Sequence, residues 1–157
     1  LFKSNTKERP VNGEMVRMMQ LAQQGFHCSQ MLLILGLEAQ GKENADLVRS
    51  MTALAGGIGF TGDVCGALTG GACLLGLYAG RGTPEEEDDP RLNVMISQLV
   101  EWFSGECAIY GGARCSQITG DDPSVRLARC PGLVYGMWER VKALLVENDF
   151  DLASGRE

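Results

Sequence analysis

The stretch from Val64 to Tyr78 is the most apolar in the chain, and Gly66, Gly70, Gly71, Gly76 and Gly80 punctuate it and its end. A segment that is apolar on every side must be covered on every side, so it predicts a buried central helix. It falls short of the ~20 apolar residues that cross a bilayer. Each interior glycine costs a helix about 1 kcal/mol against alanine. Several in one helix therefore imply that neighbouring backbones approach it closely. Gly66 and Gly70, four residues apart, form a seam of small residues. That seam suits tight packing within the chain or across a homodimer interface, twofold dimers being the commonest oligomers.

Helical spacing recurs elsewhere. Leu47, Met51, Leu54, Ala55 and Ile58 fall on one helical face. So do Leu92, Ile96, Leu99, Trp102 and Phe103, and again Val134, Trp138, Val141 and Leu145. Met31 to Leu35 is an unbroken apolar run whose downstream flank, Leu37-Glu38-Ala39-Gln40, favours helix. Thr83-Pro84-Glu85-Glu86, Asp89-Pro90 and Asp122-Pro123 read as capped helix starts with proline in the first turn. The acidic run Glu85 to Asp89 reads as a solvated helix start. Gly25, Gly41, Gly80, Gly82 and Gly120 read as stops. No segment alternates with period two. The expectation is a compact all-α bundle of about six helices around a Gly-rich central helix. It forms one domain over 13–147, with a flexible segment 1–12 before it and a polar, frayed tail 148–157 after it.

With 157 residues the chain can bury a core without covalent or metal staples. A net charge of −6 repels a phosphate backbone, which argues against nucleic-acid binding. No basic amphipathic stretch points to a membrane surface. The first ten residues carry charges with no apolar run behind them, so the expected compartment is the cytoplasm. Gly57-Ile58-Gly59-Phe60-Thr61-Gly62 spells a dinucleotide-binding fingerprint, but that motif needs a strand before it. Here it reads as a helix end, a turn, and a new helix capped by Asp63.

Six cysteines remain. Cys28, Cys65 and Cys115 fall just behind turn residues, and Cys130 directly precedes Pro131. The residue before proline avoids the α region, so Cys130 is expected to end one helix and open the next. All four are thus expected at helix N-termini, where free amides and the helix dipole lower a thiol pKa. Thiolate is both nucleophile and metal ligand. Cys73 and Cys107 lie in apolar surroundings and read as small buried hydrophobes. His27, the only histidine, is either a loop residue or a group tuning Cys28. No C-x-x-C pair is present.

Cys65-Gly66-Ala67-Leu68-Thr69-Gly70 is a C-G-A-x-x-G motif. Phe26-His27-Cys28-Ser29-Gln30 lies upstream, and Cys115 with Ile118-Thr119-Gly120, then Cys130, lie downstream. In this ordered set the chain resembles the C_GCAxxG_C_C family of redox-active proteins, over roughly Met15 to Leu145. The resemblance implies that Cys28, Cys65, Cys115 and Cys130 form one site, catalytic or metal-ligating. Gly66 beside Cys65, and Gly70 one turn on, are expected to clear space there for a cofactor atom or a partner sulfur. A similar domain accompanies split-Soret cytochromes c, which points to iron. Three functions stay open. The thiolates bind an iron–sulfur cluster or another thiophilic metal for electron transfer or redox sensing. Alternatively they cycle as a metal-free thiol–disulfide pair, or the protein is a non-redox scaffold. A partner protein or a small thiol would exchange the electrons. Cys65 is expected to matter most.

Overall fold

A computed structural model describes residues 13–156; the expected flexible segment 1–12 lies outside the described residues. Seven α-helices follow one another: α1 (Gly13–Gln23), α2 (Cys28–Ala39), α3 (Ala45–Met51), α4 (Gly66–Ala79), α5 (Leu92–Cys107), α6 (Cys115–Thr119) and α7 (Pro123–Glu147). The described residues hold no strand, and their only extended pairing is an isolated antiparallel bridge between Val64 and Arg114. The all-α expectation holds.

The apolar, glycine-bearing segment is the central helix, α4, which packs against α2, α5 and α7. Leu74 and Leu75 on it are fully buried, as are Leu32, Leu99, Phe103 and Met137 on its neighbours. The glycines do what their cost implied. A Cβ on Gly70 would stand 2.9 Å from the Cα of Ser29, and one on Gly71 would stand 3.2 Å from Leu99 Cδ2. The seam at Gly66 and Gly70 faces α2, and Gly71 faces α5 and α7. Partners within the chain therefore fill these faces. Around this centre Trp138 Nε1 donates to Glu14 Oε2 at 2.7 Å, Lys142 pairs with the same carboxylate, and Arg17 bridges to Glu38 at 2.6 Å. These bonds tie α1 to α7 and α2.

Several local expectations need correction. The face from Leu47 to Ile58 is not one helix: α3 stops at Met51, a 3-10 turn follows over Thr52–Leu54, and Ile58 is exposed. Gly56 and Gly57 turn the chain into the left-handed region, which no right-handed helix can continue. Thr83 starts no helix: Glu86 N–H closes one turn onto its carbonyl at 3.2 Å, and the Arg81 side chain binds the carbonyls of Thr83 and Pro84, at 3.1 and 2.7 Å. Asp89-Pro90 falls short of α5, which begins at Leu92 with Arg91 as its cap. The described residues after Asn148, 149–156, are held rather than frayed. Tyr78 donates its hydroxyl to the Leu152 carbonyl at 2.8 Å, Arg91 stacks on Phe150 at 4.1 Å, and Arg156 donates to the Gly80 carbonyl at 2.8 Å.

Candidate functional site: a thiol-lined cavity

Four separate segments carry the four family cysteines to one cavity of about 750 Å³, which Cys28, Cys65, Cys115 and Cys130 all line. Cys28 is the first residue of α2 and Cys115 the first of α6. Cys65 is the N-cap of α4, with φ −54° and ψ 132°. Asp63 is therefore not the cap; its carboxylate accepts instead from the Val64 amide at 2.9 Å.

Cys130 departs from expectation. It lies inside α7, which runs unbroken through Pro131. Proline removes one amide donor from the ladder and leaves the Leu127 carbonyl without its helical partner. Pro131 and Leu127 are both exposed, so water can reach that carbonyl, and the buried Val134–Leu145 half of the helix anchors the rest.

Cys65 and Cys115 are joined by a short ladder. Cys65 N–H donates to the Ala113 carbonyl at 3.0 Å, Cys115 N–H to Asp63 at 2.7 Å, and Ser116 N–H to Gly62 at 3.1 Å. Around the Val64–Arg114 bridge this pairing sets Cys65 opposite Ala113 and Cys115 opposite Asp63. Alternate residues of an extended pair share a face, so the two thiols are diagonal neighbours on the same face. Cys28 reaches the group from the other side. A Cβ on Gly66 would stand 2.7 Å from Cys28 Sγ, so that glycine makes the space the sulfur fills. Gly66 lines the cavity; Gly70, one turn on, lies against Ser29 and does not.

One positioning device went unread in the sequence. Cys28-Ser29-Gln30 and Cys115-Ser116-Gln117 are the same tripeptide. Gln30 Oε1 accepts from the His27 amide at 3.1 Å, and Gln117 Oε1 accepts from the Arg114 amide at 3.1 Å. Each glutamine thus closes the first turn over its cysteine. The Gln30 amide then donates to Thr52 Oγ1 at 2.8 Å, and that of Gln117 to the Gly111 carbonyl at 3.0 Å. The repeated triplet was the signal that could have found them.

The electrostatics reverse the expected sign. Burial pushes the Cys28 thiol up to about 12, helped by the neighbouring Cys65 and Cys130, against opposing amides of Ser29 and Gly56. Burial likewise raises Cys65, although the amides of Ala67 and Leu68 oppose it. Cys130 is pushed up to about 11 by burial and by Cys65 and Cys115, while Arg126 pulls the other way. Helix-start donors are present, but removal from water outweighs them. A neutral buried thiol is stable while its unfolded counterpart stays protonated. Stability is therefore expected to be full below about pH 8.5, the free-thiol value, and to fall as pH rises toward 11–12. Urea midpoints between pH 7 and 10.5 check this; a midpoint that rises with pH contradicts it.

Cys73 is exposed on α4 rather than buried, whereas Cys107 is fully buried. Cys107 is pushed up to about 11 by burial and by Cys65. His27 caps α2 and sets its ring edge-on to Phe60, with centroids 5.4 Å apart, and is not among the groups that shift Cys28.

The cavity mouth is framed by a strained turn. Gly56, Gly57, Ile58, Gly59 and Phe60 all have φ between 61° and 75°. Five left-handed residues in succession form a short left-handed turn, which costs a residue with a side chain roughly 1–2 kcal/mol. Phe60 lines the cavity, but Ile58 points to solvent, 47% exposed. Ile58→Gly is therefore expected to stabilise the protein by about 1 kcal/mol, read as a higher urea midpoint. A loss of stability would show that the turn is not strained at Ile58.

The structure is thus an all-α domain in which four thiols line one cavity. The chain is a member of the family described as "Putative redox-active protein (C_GCAxxG_C_C)", whose profile matches residues 26–144. No curated protein and no solved structure matches it. Among the described residues, no three of His, Cys, Asp and Glu are placed to hold one metal ion, and no helix is long and apolar enough to cross a membrane.

Proposed function

We propose that the protein is an electron-transfer or redox-sensing protein in which Cys28, Cys65, Cys115 and Cys130 ligate an iron–sulfur cluster. One observation carries the reading: four thiols from four segments line one apolar cavity. A group of several metal atoms takes thiolates at separate corners, and an all-cysteine donor set is what such clusters use. The raised thiol pKa values favour a cationic occupant as well, since bare thiols here are poor nucleophiles, while a metal deprotonates its cysteine ligands. When bound, the cluster would supply one-electron chemistry. The chain supplies the thiols, an apolar wall that excludes water, and amides of Ala67 and Leu68 beside Cys65. The electrons would pass to a partner protein or a small thiol. Six free thiols suit a reducing, cytoplasmic compartment.

The experiment is anaerobic purification and reconstitution with iron and sulfide, followed by metal analysis and visible absorption. Stoichiometric iron and sulfide with cysteinate-to-iron charge-transfer bands supports the reading. Colourless, iron-free protein after reconstitution overturns it.

The ladder favours a second reading, in which Cys65 and Cys115 cycle between dithiol and disulfide. Diagonal neighbours on one face stand about 7–8 Å apart, so a disulfide would draw the two paired segments together. Reversible loss of two thiols, with peptides containing Cys65 and Cys115 cross-linked in mass spectra, would select it.

A further inference from the structure

Besides the four thiols, the cavity lining includes Met15, Met18 and Met19 from α1, and Leu127 and Leu133, which flank Cys130 along α7. Among the described residues no acidic side chain lines the cavity, although the chain carries a net charge of −6, and Arg126 is the one permanent charge on the lining. Its guanidinium lies over the Phe60 ring, 5.4 Å from the centroid, and no acid pairs with it among the described residues. Arg129, one turn on, offers the contrast. It donates to the Ile118 carbonyl at 2.7 Å and stacks on Tyr110, so its guanidinium is tied to the protein.

A half-buried guanidinium with no counter-charge, at the mouth of an apolar cavity, rewards one kind of guest. We infer that the cavity binds a small amphipathic organic anion, with an apolar body against the methionines and a carboxylate, sulfonate or phosphate on Arg126. Three observations set the class. The volume of about 750 Å³ falls within the ordinary range for pockets that take organic ligands. Methionine side chains are flexible and polarizable, and they adapt to flat or conjugated bodies. The planar guanidinium matches an oxyanion through two parallel hydrogen bonds. Phe60, held at φ 61° in the left-handed turn, provides the apolar face on which Arg126 rests beside the entrance. That this guest meets the redox centre rests on the proposed function; that it binds does not.

Binding is tested on the full chain, free of iron, with two fluorescent probes of similar shape. One is 8-anilinonaphthalene-1-sulfonate; the other is its neutral relative N-phenyl-1-naphthylamine. The sulfonate is expected to bind the wild type about tenfold more tightly than Arg126→Gln, the size of one charge-assisted contact, and Arg126→Lys, which keeps the charge but not the planar fork, should restore only part of the difference. The neutral probe should bind all three proteins alike. Bound sulfonate should also slow alkylation of Cys130, one turn along α7 from Arg126. Equal sulfonate affinity for wild type and Arg126→Gln overturns the proposal. So does an unchanged alkylation rate at saturation, which would put the probe elsewhere on the surface. Because these assays read fluorescence and alkylation, failure to take up iron leaves them standing, and their failure leaves the iron analysis standing.

Discussion

Replacing Cys65 by serine is expected to strip the protein of the proposed cluster while leaving the fold in place. Cys65 caps α4, and serine is among the preferred residues at that position. The amides of Ala67 and Leu68, which favour charge on the cysteine sulfur, are there to receive a hydroxyl oxygen. The ladder bond from residue 65 to Ala113 is made by backbone and survives the change. The melting temperature should therefore move by only a few degrees. Iron and sulfide retained after reconstitution should drop by about tenfold or more, since loss of a ligand exceeds the 10–100-fold typical of outer-shell changes. Under the dithiol reading the same variant should lose reversible two-thiol oxidation. Full iron content together with unaltered thiol cycling would reduce Cys65 to a packing residue.

The second large effect is expected at Gly70. A methyl group there would meet Ser29 Cα at 2.9 Å, Ser29 O at 3.3 Å and Leu32 Cδ1 at 3.2 Å. Leucine can move aside, but the backbone of α2 cannot move without shifting Ser29, whose hydroxyl is bonded to the Met51 carbonyl at 2.8 Å. Overpacking of this kind costs roughly 1–3 kcal/mol, and the helix propensity gained by alanine recovers about 1 at most. Gly70→Ala should therefore lose about 1–2 kcal/mol in urea unfolding. The same substitution at Gly76, on the same helix with nothing within 4 Å of the new methyl, should gain about 0.5–1 kcal/mol. Opposite signs at two glycines of one helix separate packing from propensity. If both stabilise, the close approach of α2 and α4 is not as described.

Why were some features legible in the sequence and others not? The central helix was readable because an apolar segment with glycines has few other ways to be accommodated. The order of the cysteines was readable because the C-G-A-x-x-G motif is local. The extent of α3 was not: its apolar spacing continues to Ile58, and only the left-handed conformation of residues 56–60 ends it. The Cys130 helix was not readable either. The rule for residues before proline is a local preference, and the buried Val134–Leu145 half of α7 overrides it. The thiol pKa shifts were misjudged for a related reason. Helix starts can be inferred from neighbouring residues, whereas the burial that outweighs them comes from segments far along the chain. Meeting of the four cysteines at one cavity depends on the pairing of 62–65 with 113–116, which is too short to leave a strand pattern.

That short pairing has a consequence for the order of events as the chain folds. Its two halves lie about fifty residues apart in sequence, and Cys28 and Cys130 about a hundred. Helices form from local contacts in microseconds, but closing loops of this length must await tertiary docking. The cavity wall is therefore among the last parts to be completed, since it needs the starts of α2, α4 and α6 and the middle of α7 together. Until then the thiols are exposed, closer to their free acidity, and open to oxidation or to stray metal. If the proposed cluster is the occupant, one delivered early would meet scattered ligands, and one delivered late would meet a finished wall that Phe60 and Arg126 help to line. Under that proposal loading is expected to follow folding, its rate tracking entry past those residues rather than the collapse of the chain.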